Sequence, residues 1–331
     1  MSVTIEPIES AAGPFAAINI DLGQLRVQLL SLGAAIRTVE VPDAQGVLGH
    51  VHLALPHPAD HADHARNPHL GGTLGRFANR IAHGRFTLDG QEYMLDVNND
   101  GNTLHGGAIG FDRKIWEYDV ITDTADEASL RFTITSPDGD MGFPGQVDAD
   151  VTYEVSPTSI TMRYSARTDR PTVINLSNHG YWNLAGSHSV AGHHLHVAAN
   201  RRLVTDTTGI PVEADEVADT LFDLREPSVL GPIIEATEGL DSCYLVDGEG
   251  FRQMAHLSAP AIGRALTVSS DAPGVQVYTG NNLGEPFVPF QSVSLETQRA
   301  PDAPNQPQWG SAVLRPGKAY ESKTVLKFTA G

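Results

Sequence analysis

Two short stretches of the chain carry side chains suited to acid–base chemistry. NLSNHGYWNLAG, residues 175–186, places His179 between an amide and a glycine, directly ahead of a Tyr-Trp pair. SVSLETQ, residues 292–298, carries Glu296. A free glutamate, with a pKa of about 4.3, is ionised at neutral pH, whereas a histidine, with a pKa of about 6.5, can hold and give a proton there. Both residue types serve often in general acid–base catalysis.

Strand phase indicates where two of the polar residues point. Val293 and Leu295 share one face of their segment, so Glu296 projects from the opposite, non-apolar face. Gln276 alternates with valines in the same way, on the face that it shares with Tyr278. Both side chains are therefore predicted to line a surface other than the core.

Further polar clusters contain amides, arginine, carboxylates and histidine near aromatic residues, which is the usual lining of a pocket for polyhydroxylated ligands. Taken singly, each residue also has a structural explanation. His105 can cap a turn, Arg80 can form a surface ion pair, and Asp241 can begin a strand. The candidates in these clusters are Asn79 and Arg80 in GRFANRI, His105 in NTLHGG and Asp241 in GLDSCYLV.

Histidine pairs raise the alternative of a metal site. His194 and His196 lie on one face of a predicted strand, as in metal-dependent barrel enzymes, but no carboxylate follows at residues 197–200. The segment HPADHADHARNPH, residues 57–69, has histidines at helical spacing but is typical of an exposed loop or short helix. We expect no metal site in either segment.

Other catalytic signatures are missing from the sequence. Cys243 lies in an apolar strand-like run, which favours a packed thiol over a nucleophile. The chain has no Gly-x-Ser-x-Gly elbow, no P-loop and no glycine-rich dinucleotide fingerprint after a strand. We therefore expect no cofactor.

The elements that must position these residues are strands. Short runs of period-2 alternation are separated by Gly, Pro, Asn and Asp clusters, and helical periodicity is scarce. The clearest runs are residues 129–136, 147–156, 159–167, 274–280 and 292–298. No linker, repeat or low-complexity block interrupts them. The pattern predicts an all-β protein, a large antiparallel β-sandwich, in which residues 1–331 form one domain.

Charge and composition exclude several classes of partner. The 331 residues carry a formal net charge of −18, which disfavours electrostatic binding to nucleic acid or anionic membranes. No run approaches 18 apolar residues, so no membrane-spanning helix is predicted. With one cysteine and no recognisable secretory signal, we expect a cytoplasmic protein.

The ordered motifs together resemble the aldose 1-epimerase (galactose mutarotase) family. The matching segments are GRFANRI, NTLHGG, GFDRKIWE, NLSNHGYWNLAG, GLDSCYLV, PGVQVYTGN, LETQRAPDAPNQP and LRPGKAY, spanning residues 70 to 320. The resemblance implies a β "supersandwich" with an open sugar cleft. It also implies an isomerase of hexose metabolism that interconverts the α and β anomers of free aldoses such as glucose and galactose without a cofactor.

The resemblance also implies roles for residues. Glu296 matches the general base and His179 the general acid, while His105 matches a second histidine that assists near the ring oxygen. The positions implied to contact the sugar are Asn79, Arg80, Asp241 and Gln276.

Three departures from the family pattern bear on sugar preference. Ser242 stands where many members have histidine, and the segment at residues 283–293 is short. DTLFDL, residues 219–224, replaces the more usual Gly-Thr-Pro-Phe-Asp-type run. A non-catalytic sugar-binding or sensing module on the same fold is the alternative function. Either a monomer or a homodimer is compatible with the sequence.

Overall fold

Strands dominate the computed structural model, which describes residues 2–331. Alternation of apolar and polar residues explains which side chains enter the core. In the strand Val147–Ser156, every second residue, beginning with Val147, is buried. The strands are β1 Val3–Ile8, β2 Phe15–Asp21, β3 Arg26–Leu30, β4 Ala35–Pro42, β5 Leu48–His50, β6 Thr73–Leu74, β7 Arg80–Ile81, β8 Arg85–Leu88, β9 Gln91–Met94, β10 Thr103–Leu104, β11 Glu117–Asp123, β12 Ala128–Ser136, β13 Val147–Ser156, β14 Ser159–Thr168, β15 Thr172–Val173, β16 Ser177–Asn178, β17 Tyr181–Trp182, β18 His194–Val197, β19 Arg201–Thr205, β20 Pro211–Glu216, β21 Ser228–Val229, β22 Asp241–Leu245, β23 Arg252–Ala259, β24 Arg264–Ser270, β25 Gly274–Tyr278, β26 Val293–Gln298, β27 Val313–Leu314 and β28 Tyr320–Ala330.

Helical segments are few and short. One α-helix, α1, covers Leu230–Thr237, and the 3₁₀ turns are Pro58–Ala62, Ala82–Gly84, Phe111–Arg113, Asp140–Gly142 and Pro307–Trp309. Within residues 2–331, none of the helices has the length and apolar character needed to span a bilayer.

Three antiparallel sheets form the body of the protein. The largest has nine strands in the order β11-β12-β13-β14-β28-β24-β23-β18-β21. The second has six, in the order β17-β26-β25-β22-β19-β20, and the third has five, from β1 to β5 in sequence. The largest buried apolar cluster takes residues from all three sheets. The predicted all-β fold with large antiparallel sheets is confirmed.

Strand β26 of the six-stranded sheet, which carries Glu296, is covered on both faces. All six residues of β26 are buried. Val293 and Leu295 belong to the main apolar cluster, so the intervening side chains face the other way. The five strand runs predicted from alternation are all present, whereas the single-domain extent of residues 1–331 stays a prediction.

The histidine-rich segment at residues 57–69 agrees in part with the expectation of an exposed loop or short helix. It contains a short 3₁₀ turn, Pro58–Ala62, and residues 63–66 are exposed. His61 differs from the expectation, because it is only 2% exposed. The last residue of the segment, His69, lines a cleft.

Candidate active site

A cleft of about 200 Å³ brings together all seven residues singled out from the sequence. They are Asn79, Arg80, His105, His179, Asp241, Gln276 and Glu296. Wider depressions lie elsewhere on the surface; of residues 2–331, no histidine lines the three with the largest volumes described. A volume of this size is below the roughly 300–1,000 Å³ of drug-sized sites and suits a small polar ligand.

One wall of the cleft consists of adjacent strands that present acceptor atoms. Gln276 on β25 is paired in register with Glu296 on β26. The Gln276 amide Nε2 donates to Asp241 Oδ1 at 2.6 Å. Among residues 2–331, neither the buried Gln276 Oε1 nor the buried Glu296 Oε2 has a hydrogen-bond partner. Because buried acceptors are costly when unpaired, this wall is suited to a ligand that brings hydroxyl donors.

A second wall consists of two chain segments, around Asn79 and around His105, that are held in demanding backbone conformations. Asn79 and His105 both have positive φ angles, 69° and 52°. The Asn79 backbone N–H donates to His105 Nδ1 at 3.1 Å, and the Asn79 side-chain oxygen accepts from the Arg80 backbone N–H at 2.9 Å. Arg80 Nε donates to Asn99 Oδ1 at 3.2 Å. These contacts fix both segments, so that Arg80 and His105 line the cleft.

A buried arginine, Arg76, holds the segment that contains Asn79. Arg76 is 2% exposed and donates five hydrogen bonds, to Ser136 and to backbone carbonyls of neighbouring loops. Since a buried guanidinium needs all of these acceptors, Arg76 ties the loop to the end of the nine-stranded sheet.

His179 lies between the two walls and faces the carboxylate of the strand wall. Its Nε2 is 3.7 Å from Glu296 Oε1, and both side chains are buried. The Tyr181 ring stacks on the imidazole, with 4.6 Å between centroids and 16° between planes. Tyr181 lines the cleft as well. Its hydroxyl donates to the Pro68 carbonyl at 2.9 Å, which fixes its ring.

The rest of the NLSNHGYWNLAG motif supports this histidine from outside the cleft. The Asn178 amide donates to the Gly71 carbonyl at 2.6 Å. Trp182 is 1% exposed and belongs to the main apolar cluster. Gly180 has no room for a side chain, because a Cβ there would lie 2.8 Å from the Trp182 ring. The motif thus combines one cleft histidine, one cleft aromatic and a set of packing residues.

Burial shifts both members of the His179–Glu296 pair away from their free values. Burial raises the pKa of Glu296 well above its usual range; Asp241 adds to this and Arg80 opposes it. Burial lowers the pKa of His179 to about 3, and the nearby His69 contributes in the same direction. Both shifts favour the neutral forms, so burial favours the carboxyl group over the imidazole as the place of the proton. The roles of general base and general acid for the two residues stay predictions.

Sequence reasoning missed several residues of the cleft. His69, Asn99, Asn282 and Leu283 line it together with the predicted set. No local pattern marked His69, because it ends a segment whose pattern is typical of an exposed loop or short helix. Leu283 belongs to the short segment at residues 283–293, so this segment contributes to the rim.

The other nucleophile and metal candidates stand apart from the cleft. Cys243 is buried, and burial raises the pKa of its thiol to about 12, so the thiol stays protonated as expected for a packed residue. His194 and His196 lie on β18 in the nine-stranded sheet. Within residues 2–331, one group of three potential metal ligands has its ligand atoms within 4.8 Å of one another, namely His105, His179 and Glu296.

Comparisons with known proteins point to one family. The family model described as aldose 1-epimerase matches residues 17–327. The galactose mutarotase of Rattus norvegicus is 37% identical, with 97% of this chain and 96% of that protein covered. The aldose 1-epimerase of Escherichia coli (strain K12) is 35% identical, with 92% of each covered.

Solved structures give the same result for the fold. The chain is similar to the aldose epimerase homologue from C. elegans, with a TM-score of 0.86, 27% identity and 99% of both chains covered. It is also similar to the galactose 1-epimerase from Lactobacillus acidophilus NCFM, with a TM-score of 0.87, 25% identity and 100% of both chains covered.

Proposed function

The chain belongs to the aldose 1-epimerase family, and on that premise we propose how its cleft interconverts the α and β anomers of a free aldose. The activity is that of a mutarotase, an isomerase acting on a small sugar. One observation carries the proposal for the site. The buried carboxyl group of Glu296, on β26, and the buried imidazole of His179, in the connection between β16 and β17, face each other at 3.7 Å in a cleft whose acceptors include two without a hydrogen-bond partner among residues 2–331.

Sugar binding prepares the pair for proton transfer. The sugar hydroxyls donate to the two orphan acceptors of the strand wall, Glu296 Oε2 and Gln276 Oε1. Donation to the carboxylate favours its ionised form, and Arg80 favours it too. The single proton of the pair then moves to His179, which leaves Glu296 as the base.

Ring opening is a concerted movement of two protons. Glu296 takes the proton from the anomeric hydroxyl O1, the C1–O1 bond becomes a carbonyl, and the C1–O5 bond breaks. His179 gives its proton to the departing ring oxygen O5. Each positioned proton transfer contributes about 10²- to 10⁴-fold in rate.

Reclosure reverses the flow after rotation about C1–C2. His179 removes the proton from the O5 hydroxyl, O5 attacks the other face of the aldehyde, and Glu296 returns a proton to O1. Atoms and protons balance over the cycle, so the chemistry consumes no cofactor. His105 and Arg80 stabilise charge that develops on the sugar oxygens, while Asn79, Asp241 and Gln276 orient the hydroxyl groups.

Polarimetry on freshly dissolved α-D-glucose and α-D-galactose tests this function. We expect the optical rotation to relax far faster with the protein than in buffer. If rotation relaxed at the buffer rate for a range of aldoses while the sugars bound saturably, the protein would be a sugar-binding module rather than an enzyme.

We propose that the enzyme works in the cytoplasm as a monomer or homodimer and that residues 1–331 act as one domain. The single cysteine is buried and unpaired, so the fold requires no oxidising compartment.

A further inference from the structure

His69 and Asp112 form a carboxylate–imidazole pair at the edge of the cleft. His69 Nδ1 lies 2.7 Å from Asp112 Oδ2, and the Asp112 side chain is only 3% exposed. Burial works to raise the pKa of Asp112, but His69 and Arg113 outweigh it and hold this pKa below the ordinary value. The carboxylate is therefore ionised and can only accept, so His69 Nδ1 carries the proton that it donates.

The backbone around this pair fixes the ring in place. His69 has a φ of 67°, in the left-handed region that non-glycine residues rarely adopt. The Gly72 N–H donates to the His69 carbonyl at 3.1 Å and closes the turn. A Cβ at Gly72 would lie 2.6 Å from the Asp112 Cβ, so the absence of a side chain there lets Asp112 approach the turn.

The ring of His69 is part of the same cluster as the two other cleft histidines. Its centroid lies 4.8 Å from that of His105 and 5.9 Å from that of His179, to which it is nearly parallel. Among residues 2–331, no group hydrogen-bonds His69 Nε2, and this atom is not buried. It is therefore an open hydrogen-bonding group in the cleft wall.

His52, a structural histidine a short distance away, provides the contrast. Its Nδ1 donates to the Arg37 carbonyl at 3.0 Å and its Nε2 accepts from the Tyr181 N–H at 3.1 Å. Both nitrogens are thus used by the protein, as expected for a packing residue. His69 has one nitrogen engaged and one left over, which is the arrangement of an oriented ligand-binding imidazole.

We propose that His69 is a further substrate-contacting residue, whose Nε2 hydrogen-bonds a hydroxyl group of the bound aldose, and that Asp112 is its positioning residue. The inference rests on the proposed function, because it assumes that an aldose occupies this cleft. It adds a third histidine to the sugar contacts, on the loop side of the cleft beside His105.

A cycle of protein variants and deoxy sugars tests the contact. The Kd of D-galactose and of its monodeoxy derivatives is measured by calorimetry for the wild type and for His69→Leu. We expect His69→Leu to raise the Kd and KM of D-galactose about 10-fold, as for one lost hydrogen bond, with kcat changed less than about threefold. One deoxy sugar, which lacks the contacted hydroxyl, should have a higher Kd than D-galactose for the wild type. For His69→Leu, the Kd values of this deoxy sugar and of D-galactose should be equal.

A separate pair of variants tests whether Asp112 positions His69. Asp112→Asn should raise the Kd by less than His69→Leu does, and should add nothing in the His69→Leu background. His188→Leu, at an exposed loop position, is the matched control and should leave the Kd unchanged. An unchanged Kd in His69→Leu, or deoxy penalties that are the same in both proteins, would overturn the proposal.

Two further measurements complete the test. If His69→Leu is unfolded by circular dichroism, side-chain ¹⁵N spectra of the wild type decide the matter: D-galactose must shift the Nε2 resonance of His69, and no shift overturns the contact. Binding is read directly, so it is independent of turnover. Absence of wild-type mutarotation in polarimetry would refute the proposed function instead, whatever the binding cycle shows.

Discussion

The backbone N–H of Asn79 donates to Nδ1 of His105, which assigns the proton of this imidazole to Nε2. Burial lowers the pKa of His105 well below its usual value, and His69 adds to the effect, so the ring is neutral. His105 therefore presents an N–H donor to the cleft. The same assignment bears on metal binding, because ligation through Nε2 would move the proton to Nδ1, against the Asn79 N–H.

Chelation should accordingly leave catalysis unchanged, even though His105, His179 and Glu296 lie close enough to suggest a metal centre. We expect dialysis against EDTA to leave the mutarotation rate at its original value, and metal analysis to find no stoichiometric transition metal. Metal analysis of the His194→Asn variant tests in the same way whether the other histidine pair, His194 and His196, binds a metal. A stoichiometric metal whose removal abolishes activity would contradict the tautomer assignment.

Removal of either proton-transfer group should reduce turnover without unfolding the protein. We expect Glu296→Gln and His179→Asn each to lower kcat at least about 100-fold, because each deletes one positioned transfer. Polarimetric progress curves measure kcat, and circular dichroism checks the fold. Glu321→Gln and His188→Asn, at exposed positions, are matched controls that should keep wild-type rates. Near wild-type turnover in either cleft variant would refute its assigned role.

The pH profile should reveal the single shared proton of the Glu296–His179 pair. Activity needs that proton, so kcat/KM should fall as pH rises through the raised pKa of the pair. Asp241 raises this pKa and Arg80 lowers it. Asp241→Asn should therefore move the alkaline limb to lower pH, and Arg80→Gln should move it to higher pH. The measurement is kcat/KM against pH, corrected for the buffer reaction; shifts in one common direction would contradict the shared-proton scheme.

Acid stability should depend on His61. Within the described residues 2–331, neither ring nitrogen of this buried residue has a hydrogen-bond partner, and burial lowers its pKa to about 3. Because the unfolded chain titrates near pH 6.5, it binds more protons than the folded protein between these values. Stability is therefore lost as pH falls through about 6.5, with a slope of up to about 1.4 kcal/mol per pH unit from this residue.

Replacement by an apolar residue should remove that dependence. We expect His61→Leu to narrow the difference between the free energies of unfolding at pH 7.5 and pH 5.0, and to keep or raise stability at pH 5.0. Urea titrations measure both quantities. His188→Leu, at an exposed position, should show the full wild-type difference. A His61→Leu protein as pH-sensitive as wild type would place the acid lability elsewhere.

Local pattern was enough to predict the strands and the direction of their side chains. Period-2 alternation is a property of the backbone, so β13 and β26 and the outward phase of Glu296 and Gln276 could be predicted without long-range information. The polar clusters suggested a pocket for a polyhydroxylated ligand, and their order matched the family. Local pattern did not indicate His69, because its proposed role depends on Asp112, which only the folded chain brings within 2.7 Å of it.

By itself, therefore, the sequence determined the fold class, the family and the set of polar residues available for acid–base chemistry. Only the tertiary structure decided that His179 and Glu296 face each other at 3.7 Å, that both are buried, and that His105 donates through Nε2. Pairing, protonation and tautomer depend on desolvation and on partners that are distant along the chain. These are properties of packing, which no local pattern contains.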